Sequence, residues 1–147
     1  LLEEIINSFK ETSSKEIILV SDNDKNKIDI QRSAEMIYGL RNFIGNAIKF
    51  SKSKVNIFLM SDDKEIKIIV NDDGPGFPKD IINKLGEPYI KSRSLELNLN
   101  SGLGLGTFLG KTLLERQNAK LLFKDDKNLG GASVVISWSP KNILLNV

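Results

Sequence analysis

Apolar and polar positions follow two rhythms along this chain, and each rhythm marks a different kind of element. Residues 54–60 carry Val55, Ile57 and Leu59 on alternate positions. Residues 65–71 carry Ile66, Ile68 and Val70 on one side and Ile69 on the other. A period of two predicts strands. Asp62-Asp63 lies between them as a turn, so the pair reads as a hairpin. Residues 33–50 follow the other rhythm. Ile37, Leu40, Ile44, Ala47 and Ile48 recur at helical spacing, which predicts an amphipathic helix with that stripe on a core. Residues 103–117 predict a second helix, opened by glycines and closed near Asn118. Residues 16–20 form a short, β-branched strand after residues 1–9, which read as the end of a helix. Residues 120–124 and 132–138 are two further strands joined by a turn-rich segment. Residues 73–101 lack any long periodic segment apart from a short helix expected near residues 80–84. A connection of that length inside a small domain is functional or mobile.

The order strand, helix, hairpin, loop, helix, hairpin predicts an α/β (α+β) two-layer sandwich. Its sheet is mixed and mostly antiparallel, with about five strands and about three helices on one face. A chain of 147 residues makes one such domain. Composition then removes chemistries. There is no Cys and no His, so disulfides, thiolate catalysis, cysteine zinc sites and imidazole acid–base work are excluded. A net charge of +2 without a dense Lys/Arg stripe argues against nucleic acid. No apolar run approaches the roughly 20 residues that cross a bilayer, and the acidic start LLEEIINSF is unlike a signal peptide. The segment is therefore expected to be cytoplasmic and to make no membrane contact. Because Leu1 is not Met, it reads as a piece of a longer chain.

Three motifs remain. Asn42, Asn46 and Lys49 stand at i, i+4 and i+7, on one helix face roughly opposite the apolar stripe. A carboxamide oxygen suits Mg²⁺, and a Lys one turn on meets phosphate as a point charge. The plain alternative is a solvated polar face. Asp72 ends a strand and is followed by Asp73-Gly74-Pro75-Gly76. Its carboxylate accepts hydrogen bonds only, which suits the exocyclic amine of adenine and disfavours the carbonyl of guanine. Gly74 and Gly76 allow close backbone approach, although D-G-P-G is also ordinary turn chemistry. Ser101-Gly102-Leu103-Gly104-Leu105-Gly106 runs directly into a helix. Backbone amides at a helix start cradle phosphate, and the alternative is close helix packing. It matches neither a Walker A loop nor a clean dinucleotide fingerprint.

In their order, these stretches resemble the N, G1 and G2 boxes of the histidine-kinase catalytic domain. That domain belongs to the gyrase, Hsp90, histidine kinase and MutL (GHKL) superfamily with the Bergerat fold. The likeness runs over about residues 15–140. Leu85-Gly86-Glu87-Pro88-Tyr89-Ile90-Lys91-Ser92-Arg93 resembles the F box. The forms LGEPYIKSR and GLGLGTFLGKTLLER look closest to RegB/PrrB-type sensor kinases. Asn100-Ser101 stands where many members have a further glycine in the G2 box.

The resemblance implies ATP and Mg²⁺ as ligands, with Asn46 on the metal and Asn42, Asn46, Lys49 and Arg93 as the catalytic set. It adds Asp72, Gly74, Gly76, Tyr89, Lys91, Gly102, Leu103, Gly104 and Leu105 around the nucleotide, and Ser133 behind the adenine. Asn42 stands where the superfamily's ATPases carry a water-activating glutamate. An amide cannot take that proton, so weak hydrolysis is expected. The acceptor His would lie on a separate dimerisation domain, and the phosphoryl group would pass on to a response regulator. Residues 1–14 are then the end of a connecting helix, 73–101 an ATP lid and 141–147 a tail. The parent is expected to be a homodimeric inner-membrane sensor kinase. A GHKL-type ATPase, an anti-sigma-type serine kinase and a module that has lost ATP are the alternatives.

Overall fold

The computed structural model describes residues 1–21, 32–77, 105–125 and 129–139. Within them the elements run α1 (Leu2–Lys10), β1 (Glu16–Ser21), α2 (Ala34–Phe50), β2 (Lys54–Ser61), β3 (Ile66–Asp72), α3 (Leu105–Arg116), β4 (Lys120–Asp125) and β5 (Ala132–Trp138). The five strands form one sheet in the order β1-β2-β3-β5-β4. β1 pairs with β2 in parallel, and every other pairing is antiparallel. A parallel pair needs a crossover, and α2 supplies it. The expected mixed sheet with helices on one face is therefore what the chain forms, and the short helix expected near residues 80–84 lies outside the described residues.

Period two decides which strand residues meet the helices. Val55, Ile57, Ile66, Ile68, Val70 and Ile136 are buried on the inner face. Ile57, Val70 and Val134 stand in one cross-strand row. Leu2, Ile5 and Ile6 of α1, Leu114 of α3 and the long face of α2 close over this floor. On α2 the core position in the first turn is Met36, not the expected Ile37, which is only half-buried. The buried arc of α2 is wider than the expected stripe because α3 covers a second side of it.

Caps fix where α2 starts and stops. Ser33 is extended, and its side chain accepts from the Met36 amide at 3.0 Å, as an N-cap does. At the other end Lys15 Nζ donates to the carbonyls of Ile48, Lys49 and Ser51. A cation there satisfies open carbonyls and favours the negative end of the helix dipole. α3 ends where Asn118 takes a φ of 68° and the Ala119 amide reaches back to Leu114.

Candidate functional site

A cleft of about 220 Å³ opens between α2, the start of α3 and the ends of β3, β4 and β5. It is lined by Phe43, Asn46, Ala47, Phe50, Val70, Asp72, Pro75, Gly76, Phe77, Thr107, Phe123, Ala132 and Val134. Its walls are apolar and partly aromatic. Phe123 sits 5.8 Å from Phe43 and 5.9 Å, edge-on, from Phe77 between ring centroids, which are ordinary aromatic packing distances. The polar side chains in the lining are few, Asn46, Asp72 and Thr107, the usual composition of a small-molecule site.

Asp72 is one of them. It shares the inward parity of Val70 and Ile68, so the strand aims it at the helices although it is charged. It is only 4% exposed. Burial of a carboxylate must be offset by hydrogen bonds. Asp72 Oδ1 accepts from the Gly74 amide at 2.9 Å and the Ala132 amide at 3.2 Å. Glycine is required on both sides of this carboxylate. A Cβ on Gly74 would stand 2.2 Å from the Phe50 carbonyl oxygen, and one on Gly131 would stand 2.4 Å from Asp72 Oδ1. Gly76 adopts a φ of 79°, which favours glycine.

The neighbouring acid does different work. Asp73 accepts from the amides of Lys52, Ser53 and Lys54 and from the Ser53 hydroxyl, at 2.8 to 3.3 Å. It thereby ties the end of β3 to the turn after α2. Burial pushes its pKa up. The hydrogen bonds from Ser53, Lys54 and Lys52 outweigh that and hold it at about 2.

Asn46 also lines the cleft. Its Nδ2 donates to Asn42 Oδ1 and to Thr107 Oγ1, each at 3.4 Å. The asparagine face is therefore not turned to water. Asn42 and Asn46 are half-buried under α3, and of the three expected residues only Lys49 is exposed, its ammonium 5.3 Å from the Phe50 ring centroid. The structure thus brings Asp72, Gly76 and Asn46 to one cleft. Gly74 supports Asp72, Asn42 backs Asn46, and Lys49 stands outside the lining. Ser133, expected behind the adenine, is buried on β5 and does not itself line the cleft. Strand parity gives that role to Ala132 and Val134. Tyr89, Lys91, Arg93, Gly102, Leu103 and Gly104 lie outside the described residues. Leu105 is described as the first residue of α3 but not by its side chain.

Thr107, Gly131 and the phenylalanine walls were not read from the sequence as site residues, and neither was the clamp that Asp73 makes outside the cleft. Only Asp73 left a signal, as the second acid of a strand-ending pair. An apolar, partly aromatic cleft whose lining includes a buried carboxylate acceptor and a carboxamide fits a planar base carrying an N–H donor.

Comparison with known proteins gives a consistent picture. Residues 31–142 match the family model described as histidine kinase-, DNA gyrase B- and HSP90-like ATPase. Sensor histidine kinase RegB of Cereibacter sphaeroides is 41% identical over 105 residues, which is 68% of this chain and 23% of RegB. Among solved structures, full-length ShkA in complex with AMPPNP superposes with a TM-score of 0.73 at 20% identity, over 99% of this chain and 30% of that one. The histidine kinase ThkA in complex with the response regulator protein TrrA gives 0.71 at 18% identity, over 95% and 40%.

Proposed function

The chain belongs to the histidine kinase-, DNA gyrase B- and HSP90-like ATPase family, and from that premise we propose that it is the ATP-binding catalytic domain of a sensor histidine kinase. It passes the γ-phosphoryl group of ATP to a His on a separate dimerisation domain, from which a response regulator receives it. The observation that carries this reading is Asp72, a buried carboxylate held by Gly74 and Ala132 in the lining of an apolar cleft. Its oxygens accept the exocyclic amine of adenine and repel the guanine carbonyl. Phe43, Phe50, Phe77 and Phe123 supply apolar wall for the base.

In the same lining, Asn46 would hold Mg²⁺. Both of its hydrogen bonds use the amide nitrogen, so neither consumes the oxygen, the atom a hard cation takes. Among the described residues no group of three Asp, Glu, His or Cys could hold a metal. This fits a cation held chiefly by phosphates and one carboxamide. Such a cation neutralises charge on the transferring phosphoryl group. Lys49 stands one turn from Asn46 as a phosphate contact. Tyr89, Lys91, Arg93 and the amides of Gly102 to Leu105 complete the proposed nucleotide site, and residues 73–101 its lid. Asn42 accepts from Asn46 and has no basic atom for water, so the γ-phosphate is conserved for transfer.

Among the described residues no helix is long and apolar enough to cross a membrane. An inner-membrane, homodimeric parent is part of the proposal, as are residues 1–14 as its connecting helix. The test pairs binding with transfer. ATP with Mg²⁺ should bind at least about tenfold more tightly than GTP, and Asp72→Asn should narrow that gap. Labelled phosphate should appear on a His-bearing dimerisation domain supplied separately. Equal affinity for GTP would sink the reading, and rapid steady ATP hydrolysis by the isolated domain would favour a GHKL-type ATPase.

A further inference from the structure

α3 meets α2 through three residues spaced 107, 110 and 114, against three spaced 46, 42 and 39. Leu114 lies over Gly39, where an added Cβ would stand 2.5 Å from its Cγ. Gly110 lies over Asn42, where an added Cβ would stand 3.0 Å from Oδ1. Thr107 lies over Asn46 and accepts from its amide at 3.4 Å. Packing at the first two pairs leaves α3 one register, and that register puts Thr107, 2% exposed, with its hydroxyl beside the Asn46 carboxamide in the lining of the cleft.

We propose that Thr107 is the positioning residue for Asn46: its hydroxyl, with Asn42 Oδ1, holds the amide nitrogen and so presents the carboxamide oxygen to the divalent cation of a bound nucleotide. An amide turned end for end would set its oxygen against Asn42 Oδ1, acceptor against acceptor. Both hydrogen bonds, at 3.4 Å, are longer than the usual range, so the orientation depends on the pair. The helix that follows the glycine-rich loop therefore also sets the metal ligand on α2. The inference rests on the assignment of Asn46 as that ligand, which the experiment tests separately.

The experiment measures AMPPNP affinity with Mg²⁺ and with EDTA for the unaltered chain, Asn46→Ala, Thr107→Val and Thr107→Ser, with a thermal melt for each. Valine keeps the volume and removes the hydroxyl. The gain in affinity on adding Mg²⁺ should fall about twofold in Thr107→Val, the lower end of what one hydrogen bond contributes. Affinity in EDTA should fall by less than affinity with Mg²⁺, and serine should restore the gain. Equal losses with Mg²⁺ and EDTA would mean that Thr107 only packs, and an unchanged gain in Thr107→Val would overturn the positioning role while Asn46→Ala still loses it. If the unaltered chain gains nothing from Mg²⁺, or Asn46→Ala keeps the full gain, the Asn46 assignment falls and this inference with it.

Discussion

Replacing Asp73 by Asn should weaken the fold without weakening nucleotide binding, the reverse of what is expected one residue earlier. Asp73 Oδ1 accepts from the amides of Lys52, Ser53 and Lys54, while Oδ2 accepts from the Ser53 hydroxyl and amide. An Asn keeps one acceptor, loses the charge and sets an amine against the Ser53 N–H. The folded carboxyl titrates at about 2 against an ordinary 3.8. That difference corresponds to at most about 2.4 kcal/mol. The group is partly solvated, and screening reduces the expectation to about 1 kcal/mol. Because the folded pKa is depressed, the contribution is complete above the unfolded value. It is lost as pH falls through the folded one, with about half remaining at pH 3. Urea unfolding of both proteins at pH 7 and pH 3 reads this directly. Asp73→Asn should be about 1 kcal/mol less stable at pH 7, and the gap should shrink by about half at pH 3. A gap that stays constant across that range, or none at pH 7, would refute the charge-assisted clamp. AMPPNP affinity at pH 7 should remain close to that of the unaltered chain.

Two further outcomes follow from the packing. Gly131→Ala places a Cβ 2.3 Å from the Asp72 carbonyl oxygen and 2.4 Å from Oδ1. The resulting shift of Asp72 should cost on the order of 1–3 kcal/mol and weaken AMPPNP binding on the order of tenfold or more, which fluorescence titration would detect. Leu114→Ala removes a fully buried side chain and should cost about 2–5 kcal/mol in urea unfolding. Because that leucine fills the space above Gly39, Gly39→Ala should be harmful alone but recover stability in the Leu114→Ala background. Additive losses in that double-mutant cycle would deny the contact.

Much of the fold was legible in the linear pattern because burial enforces period. β2 and β3 bury alternate residues, so Val55, Ile57, Ile66, Ile68 and Val70 declared both their strands and their inner face. Asp72 was legible as a buried acceptor because it continues that inward parity into a glycine turn. The wall of α2 was less so. An amphipathic stripe records one buried side, whereas α2 is buried on two, against the sheet and against α3. That is why Met36 replaces Ile37 in the core and why Asn42 and Asn46 lie under a helix.

The sequence by itself determined the elements, the layer of helices on one face, and the order of motifs whose likeness names the family. Those features depend on neighbours along the chain, where spacing and residue type are sufficient. Only the tertiary structure decided the division of labour between Asp72 and Asp73, the aromatic walls, the exclusion of Ser133 from the cleft and the pairing of Thr107 with Asn46. Each of those joins groups distant in sequence, such as Asp72 to Ala132 and Asn46 to Thr107. Hydrogen-bond direction and steric fit act across a few ångströms of space, and no period along the chain encodes them.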